Sequence, residues 1–380
     1  MKASTTRRTP RDEHVLAHAQ TAPLRFRNLF TLDDWNWYVR EEVERPDLAT
    51  CAPTGLPVAD NDARLIYNSH LKLVVYPEFE RTLLRASLAF RANEHRAEGL
   101  LDMVIDGPAG TGKSFLLRAI GRDYQARVEK EDTSRIPVVH ITVPYETDGK
   151  INWIWEIACF LGLNPPPKDN LALFDQKRLP DLIHPVTHVL ARARTRILLI
   201  GDVQRTNADQ LGPALHYFDY LRSRYQVATI FCGTGAADIV QAARIRVDNH
   251  QNAETNLQER VKQQRAKASL PDQEPSKEPK EQPVRSALPV TWLDPIHCHE
   301  GDQKTWLRVL KGFEDNLCLH NLSEHALTQH AGYLHKRTGG YLKQLSQLIC
   351  QAAVDAMQKG DEDITLERLT GIRVGHNDDV

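Results

Sequence analysis

One octapeptide constrains this chain more than any other feature. Gly107-Pro108-Ala109-Gly110-Thr111-Gly112-Lys113-Ser114 lies between the apolar run Met103–Ile105 and a stretch carrying Phe115, Leu116, Leu117 and Ile120 at helical spacing. It meets G-x-x-x-x-G-K-[ST] at every fixed position, between a buried strand and a helix, which is the context the pattern requires. Glycines are needed there because backbone N–H groups must turn inward around phosphate oxygens where a Cβ would clash. Lys113 is placed to reach β and γ phosphates, the Ser114 hydroxyl to ligate Mg2+, and the helix start to face the phosphates with its positive dipole end. The expected ligands are ATP and Mg2+.

Around this loop, strand-like and helix-like segments alternate. Strands are expected at Met103–Ile105, Pro137–Val143, Arg196–Ile200 and Val227–Cys232, with Leu288–Trp292 as a last edge strand. Helical spacing recurs over Glu78–Arg96, with Phe79, Leu83, Leu84 and Leu88 on one face, and over Ile151–Leu161. It recurs in Leu179, Leu182, Ile183, Val186, Val189 and Leu190, and in Leu211, Leu215, Phe218 and Leu221. Strands separated by helices of this length imply right-handed β-α-β crossovers and a parallel sheet covered on both faces. The fold class is therefore α/β: a P-loop core plus a small all-helical C-terminal domain. That domain is expected to contain a helix with Trp306, Leu307, Leu310 and Phe313, a shorter one capped by Ser323, and a long one over 341–358. Four regions follow: an N-terminal arm and accessory segment (1–75), the nucleotide-binding core (76–260), a charged, proline-rich flexible insertion (261–287), and the end of the core with the helical lid (288–380).

A second acidic element belongs at the end of another buried strand. The run Ile197–Ile200 is such a strand, but it ends in Gly201-Asp202 where an Asp-Glu pair is usual. Adjacent strand residues point to opposite faces, so one carboxylate cannot serve both as metal-side ligand and as the group that polarises water. Either Gly201 leaves the metal side empty and Asp202 replaces the Glu, or Asp202 holds the metal and Val203 takes the catalytic place. Both readings give a site that binds ATP and hydrolyses it slowly or not at all. The strand Val227–Cys232 ends in Gly233-Thr234, which sets a hydroxyl beside the γ-phosphate if this strand neighbours the acidic one.

Composition excludes little else. Lys plus Arg number 48 against 50 Asp plus Glu, a net charge of −2, so any nucleic-acid contact needs a local basic patch. Residues 1–29 hold six basic residues and two acidic ones, a solvated arm or an arm that touches nucleic acid. No apolar run reaches the roughly eighteen residues of a membrane span, and the N-terminus has no apolar core behind its charges, so a cytoplasmic protein is expected. The six cysteines are scattered without a C-x-x-C pair, and His297-Cys298-His299 has no second ligand pair at finger spacing.

Four segments taken together point further. They are the loop G-P-A-G-T-G-K-S, the strand P-V-V-H-I-T-V-P (137–144), the strand I-F-C-G-T (230–234), and K-R-T-G-G-Y-L-K-Q-L-S-Q-L-I-C-Q-A-A (336–353) followed by I-T-L-E-R-L. On these, residues 76–260 and 288–370 resemble the TniB/TnsC-type AAA+ ATPases of DNA transposition. The resemblance implies a regulator that binds ATP, assembles head to tail on duplex DNA as a ring or filament, and connects a target-selection protein to a transposase. It implies a trans arginine finger at Arg260 within Asn256–Val261, with Arg244 and Arg246 as rivals. It implies a lid sensor at Lys343 rather than Gln344, and a DNA-facing segment Tyr145–Lys150 in which Lys150 is the useful cation. An IstB-like or DnaA-like loader ATPase shares the ATP and DNA expectations with another partner; the short polar tail after I-T-L-E-R-L sets the origin-binding version lower. A STAND-like signalling switch would need ATP and no DNA.

Overall fold

The computed structural model describes residues 29–41, 44–55, 58–71, 74–96, 100–145, 151–163, 182–249, 288–298 and 303–373. The expected arm, the insertion at 261–287, Leu179, Lys150 and Arg260 lie outside the described residues.

Helix α1 (Leu32–Arg40) and α2 (Ala63–Ser69) precede α3 (Pro77–Glu94). The core then runs β1 (Met103–Asp106), α4 (Lys113–Glu129), β2 (Val138–Thr142), α5 (Trp153–Phe160), α6 (Ile183–Arg192), β3 (Ile197–Gly201), α7 (Ala208–Tyr225) and β4 (Ala228–Cys232). Helix α8 follows, described over 236–249. After β5 (Val290–Trp292) come α9 (Lys304–Asn316), α10 (Ala331–Thr338), α11 (Leu342–Lys359) and α12 (Leu366–Gly371).

The five strands form one parallel sheet in the order β2-β3-β4-β1-β5. β1, β3 and β4 are buried at every position, as expected for strands covered on both faces, and β5 is one of the two edges, with Val290 and Trp292 exposed. This order sets the C-terminal ends of β3, β4 and β1 side by side, which places the site. Among the described residues no helix is long and apolar enough to cross a membrane.

Two expectations change. On α3 the buried residues are Phe79, Thr82, Ala86, Phe90 and Asn93, whereas Leu84 and Leu88 are 59% and 54% exposed. The face of α3 that packs on α4 is offset from the leucine-rich stripe. Ser323 caps no helix: its N–H and hydroxyl donate to the carboxylate of Asp363 at 2.9 and 2.7 Å, and α10 begins only at Ala331.

The N-terminal segment is stitched to both halves. Trp35 of α1 is fully buried, stacks on His140 of β2 at 5.2 Å and donates its indole N–H to Gln125 of α4 at 2.6 Å. Burying about 200 Å² of indole at about 25 cal/mol per Å² gives an upper bound of about 5 kcal/mol for that anchor. Gly121 of α4 makes room for it, since a Cβ there would stand 2.9 Å from the indole and 2.6 Å from Leu199. Helix α2 instead packs on α11, where the fully buried Arg64 pairs with the fully buried Glu362 through two contacts of 2.9 Å. Glu362 also accepts the His320 amide at 2.9 Å, and Asn68 brackets the backbone of Cys318.

Candidate nucleotide site

β1 is apolar until its last residue, Asp106, which is 1% exposed. Its Oδ1 accepts the amides of Gly107 at 2.6 Å and Gly235 at 2.8 Å, and its Oδ2 that of Ala237 at 2.8 Å. The carboxylate thereby ties the glycine loop to the turn after β4 and to the start of α8. The loop leaves β1 with Gly107 at φ +136°, where a Cβ would lie 2.2 Å from the carbonyl oxygen of Leu293. Only glycine fits that conformation and that approach.

The loop folds around Lys113. Its ammonium is buried and donates to the carbonyls of Gly107 at 2.7 Å and Pro108 at 2.5 Å, while Thr111 Oγ1 donates to Pro108 at 3.0 Å. Burial pulls the Lys113 pKa below its ordinary value, opposed by nearby Cys232, Asp106 and Asp202. Burial also pushes the Cys232 thiol up to about 12, so it stays protonated beside that ammonium. Among the described residues the amides of Gly110, Gly112, Lys113 and Ser114 have no backbone acceptor, while Leu116 N–H already closes onto Gly112. These donors at a helix start, an ammonium inside the curve and the exposed Ser114 hydroxyl beside it form one cluster of N–H and O–H groups whose chemistry can receive an anion. Pro108 and Ala109 form the outer, solvent-facing bend.

β3 ends at Gly201, paired with Thr142 of β2. A Cβ at Gly201 would meet Leu117 at 3.5 Å and nothing nearer, so the glycine is not forced by crowding. Asp202 stands past the strand in the left-handed region (φ +57°), a conformation Asp tolerates better than most residues. Its carboxylate pairs with Arg205 at 2.9 Å and accepts Gln204 Nε2 at 3.2 Å. Val203 is fully buried in the core. Gln204 Oε1 in turn accepts the amide of Thr234 at 3.2 Å. One glutamine thus joins the carboxylate after β3 to the exposed threonine after β4, and β4 does neighbour β3. Asp106 and Gln204, which position the loop and the two strand ends, escaped sequence reading. An acid closing the otherwise apolar M-V-I-D was the visible signal for the first; a lone glutamine in a turn gave none.

The lid reaches the loop from the other side. The Lys343 amide donates to Gly110 O at 3.0 Å, and the Gln344 side-chain oxygen points at Gly110, buried and without a partner. The Lys343 side chain is exposed. Gly340, at φ +76°, lets the chain pass so near Ile296 that a Cβ would lie 2.0 Å from its carbonyl oxygen. Of the arginines weighed as a trans finger, Arg244 is held in its own chain by Asp219 at 3.2 Å and Asp102 at 3.5 Å, and Arg246 pairs with Asp209.

A parallel sheet of this order, a strand–glycine-loop–helix at its centre and a helical lid over the loop define the AAA+ P-loop fold. The sequence agrees: residues 101–239 match the family model described as AAA domain. No curated protein matches the chain in sequence. Among solved structures, the chain is similar to the Aeropyrum pernix ORC2 protein in its ADP form, at 13% identity and TM-score 0.53, over 83% of this chain and 72% of that one. It is similar to the same protein in ADPNP-ADP complexes at 13% identity and TM-score 0.51, over 83% and 71%. The Aeropyrum pernix ORC1 protein in complex with DNA follows at 15% identity and TM-score 0.49, over 79% and 65%. At these identities the likeness is one of fold alone.

Proposed function

We propose that this chain is an ATP-binding AAA+ regulator of DNA transposition that assembles head to tail on duplex DNA and hydrolyses ATP slowly. The observation that carries the nucleotide part is the asymmetry of the site. The loop side of the site is rich in donors, with the free amides of Gly110, Gly112, Lys113 and Ser114 beside the Lys113 ammonium, whereas the strand end after β3 offers one carboxylate, already engaged by Arg205 and Gln204. In this reading Gly107–Gly112 wrap the phosphates and Lys113 exchanges its two carbonyl partners for β and γ oxygens. Ser114 and Asp202 hold Mg2+, which would draw charge from the phosphates. Thr234 senses the γ-phosphate, and Lys343 approaches it from the lid. Gly201 and Val203, on either side of Asp202, bring no second carboxylate that would align water, so the site favours holding ATP over cleaving it.

The transposition part is supported by the resemblance of the 336–353 stretch, with a target-selection protein and a transposase as partners. Arg260 supplies the trans finger to a neighbouring subunit, and Lys150 contacts the DNA backbone without reading sequence. Imaging the purified chain by negative-stain electron microscopy with and without ATP and duplex DNA tests this reading. Rings or filaments that need both, and vanish in Lys113→Ala, are expected. Assembly on ATP regardless of DNA would favour a signalling switch, and a loader would assemble yet stimulate no transposase.

A further inference from the structure

At the opposite end of the sheet from the glycine loop, a cleft of about 180 Å³ opens among Glu94, Arg127, Val128, Glu131, Arg135 and Arg196. Helix α4 joins the two places. Lys113 begins it and Arg127 stands in its last turn, which at about 1.5 Å per residue separates them by about 20 Å. Arg135 lies just before β2 and Arg196 just before β3, so both come from the strand ends remote from the phosphate cradle.

Each guanidinium is fixed by bonds at the rim. Arg127 pairs with Glu94 at 3.3 Å and lies over the Tyr124 ring at 4.9 Å. Arg135 donates to the Arg194 carbonyl at 3.3 Å. Arg196 donates to the Tyr225 carbonyl and to Gln226 Oε1, both at 3.0 Å. Yet Arg127 Nη1 and Arg135 Nε are buried with no acceptor among the described residues. A buried guanidinium N–H without an acceptor is costly, and two of them bordering one polar cleft call for an acceptor inside it. The cleft is far larger than the roughly 10–15 Å³ that one water needs. Glu94 and Glu131 oppose an anion, but Glu94 is already taken up by Arg127 and by the Tyr124 hydroxyl. The carbonyl end of α4 also repels an anion, and that alone would explain one arginine in its last turn. It explains neither Arg135 nor Arg196, which arrive from other elements.

We propose that this cleft binds a tetrahedral oxyanion of the phosphate class, held by Arg127, Arg135 and Arg196 and separate from the glycine loop. The planar fork of arginine suits such oxygens through paired N–H donors, which three lysines would not supply. The ligand is a free phosphate group or a phosphodiester of nucleic acid, and the two sources separate by experiment.

The full-length chain carrying Lys113→Ala, which removes the loop ammonium, is titrated calorimetrically with inorganic phosphate. One equivalent is expected to bind, with affinity at least tenfold weaker once Arg127→Gln and Arg135→Gln are added. Thermal unfolding without phosphate checks that the variants fold. If the pair does not, Arg135→Lys keeps the charge, loses the Nε–H and the planar fork, and is expected to weaken binding several-fold. A short DNA duplex is titrated in parallel: loss of duplex affinity in step with phosphate identifies a phosphodiester, and unchanged duplex affinity identifies a free anion. No phosphate bound by the Lys113→Ala chain, or equal binding by the arginine variants, overturns the proposal.

Discussion

The carboxylate of Asp106 accepts the amide of Ala237 at 2.8 Å, joining the last residue of β1 to a helix 131 positions further along. With Gly107 and Gly235 it satisfies three backbone donors at once. Asp106→Ala strands all three, one in a buried and two in a part-buried place, and we expect a loss of about 3 kcal/mol in unfolding free energy. Denaturant titration measures it. Nucleotide affinity, followed with a fluorescent ATP analogue, is expected to fall as well, since the loop loses its tie to the turn after β4. An unchanged affinity in a folded Asp106→Ala variant would show that the loop holds its shape without this brace.

The strand end after β3 admits repair. A Cβ fits at Gly201, and Asp202 lies near Lys113. The double variant Gly201→Asp, Asp202→Glu restores an acidic pair, and its ATP turnover is expected to rise by about 10²-fold, at the lower end of what a positioned base contributes. Steady-state phosphate release reads the outcome. Equal turnover in the two proteins would contradict the account of slow hydrolysis given above.

Stability should depend on pH through His140. Burial on β2 beneath the Trp35 ring lowers its pKa to about 4, with the carbonyl of Leu29 at 3.2 Å from its Nδ1. In the unfolded chain an ordinary histidine binds a proton near pH 6.5, so the folded state binds fewer protons between 6.5 and 4. Stability is therefore complete above pH 6.5 and falls through that window, by roughly 3 kcal/mol for this group alone. Urea unfolding at pH 7.5 and pH 4.5, compared with His140→Phe, isolates the contribution. The variant should show a shallower decline.

Arg64 and Glu362 are both fully buried, and they fasten α2 to the lid. Arg64→Met leaves the Glu362 carboxylate facing the interior with the His320 amide and no cation, and we expect a loss of about 3–5 kcal/mol. Adding Glu362→Leu should recover most of it, because the uncompensated charge is gone. A double-mutant cycle by chemical denaturation checks the sign of the coupling.

The octapeptide and the alternation of apolar runs made the sheet, its central loop and the helical lid legible, because glycine geometry and burial on both faces leave a local imprint. The stripe on α3 did not. Leu84 and Leu88 share a face with Phe79 by spacing alone, yet α4 packs against the stripe containing Ala86 and Phe90, and small residues allow that approach. Ser323 looked like a cap because it precedes a helical pattern, but its partner Asp363 is 40 residues distant. Asp106 and Gln204 act through backbone amides far along the chain, and no sequence spacing encodes such partners.

The carbonyl of Leu293, pressed against Gly107, has a consequence for the birth of the protein. The back wall of the glycine loop is synthesised roughly 190 residues after the loop, and at about 5–20 residues per second a ribosome takes on the order of ten to forty seconds to reach it. Throughout that interval the nascent β1 has an open edge, and its most constrained turn has nothing behind it. A nascent chain still short of Leu293 is therefore expected to hold nucleotide more weakly than the finished protein, and a fragment ending at residue 239 to keep that weakness permanently.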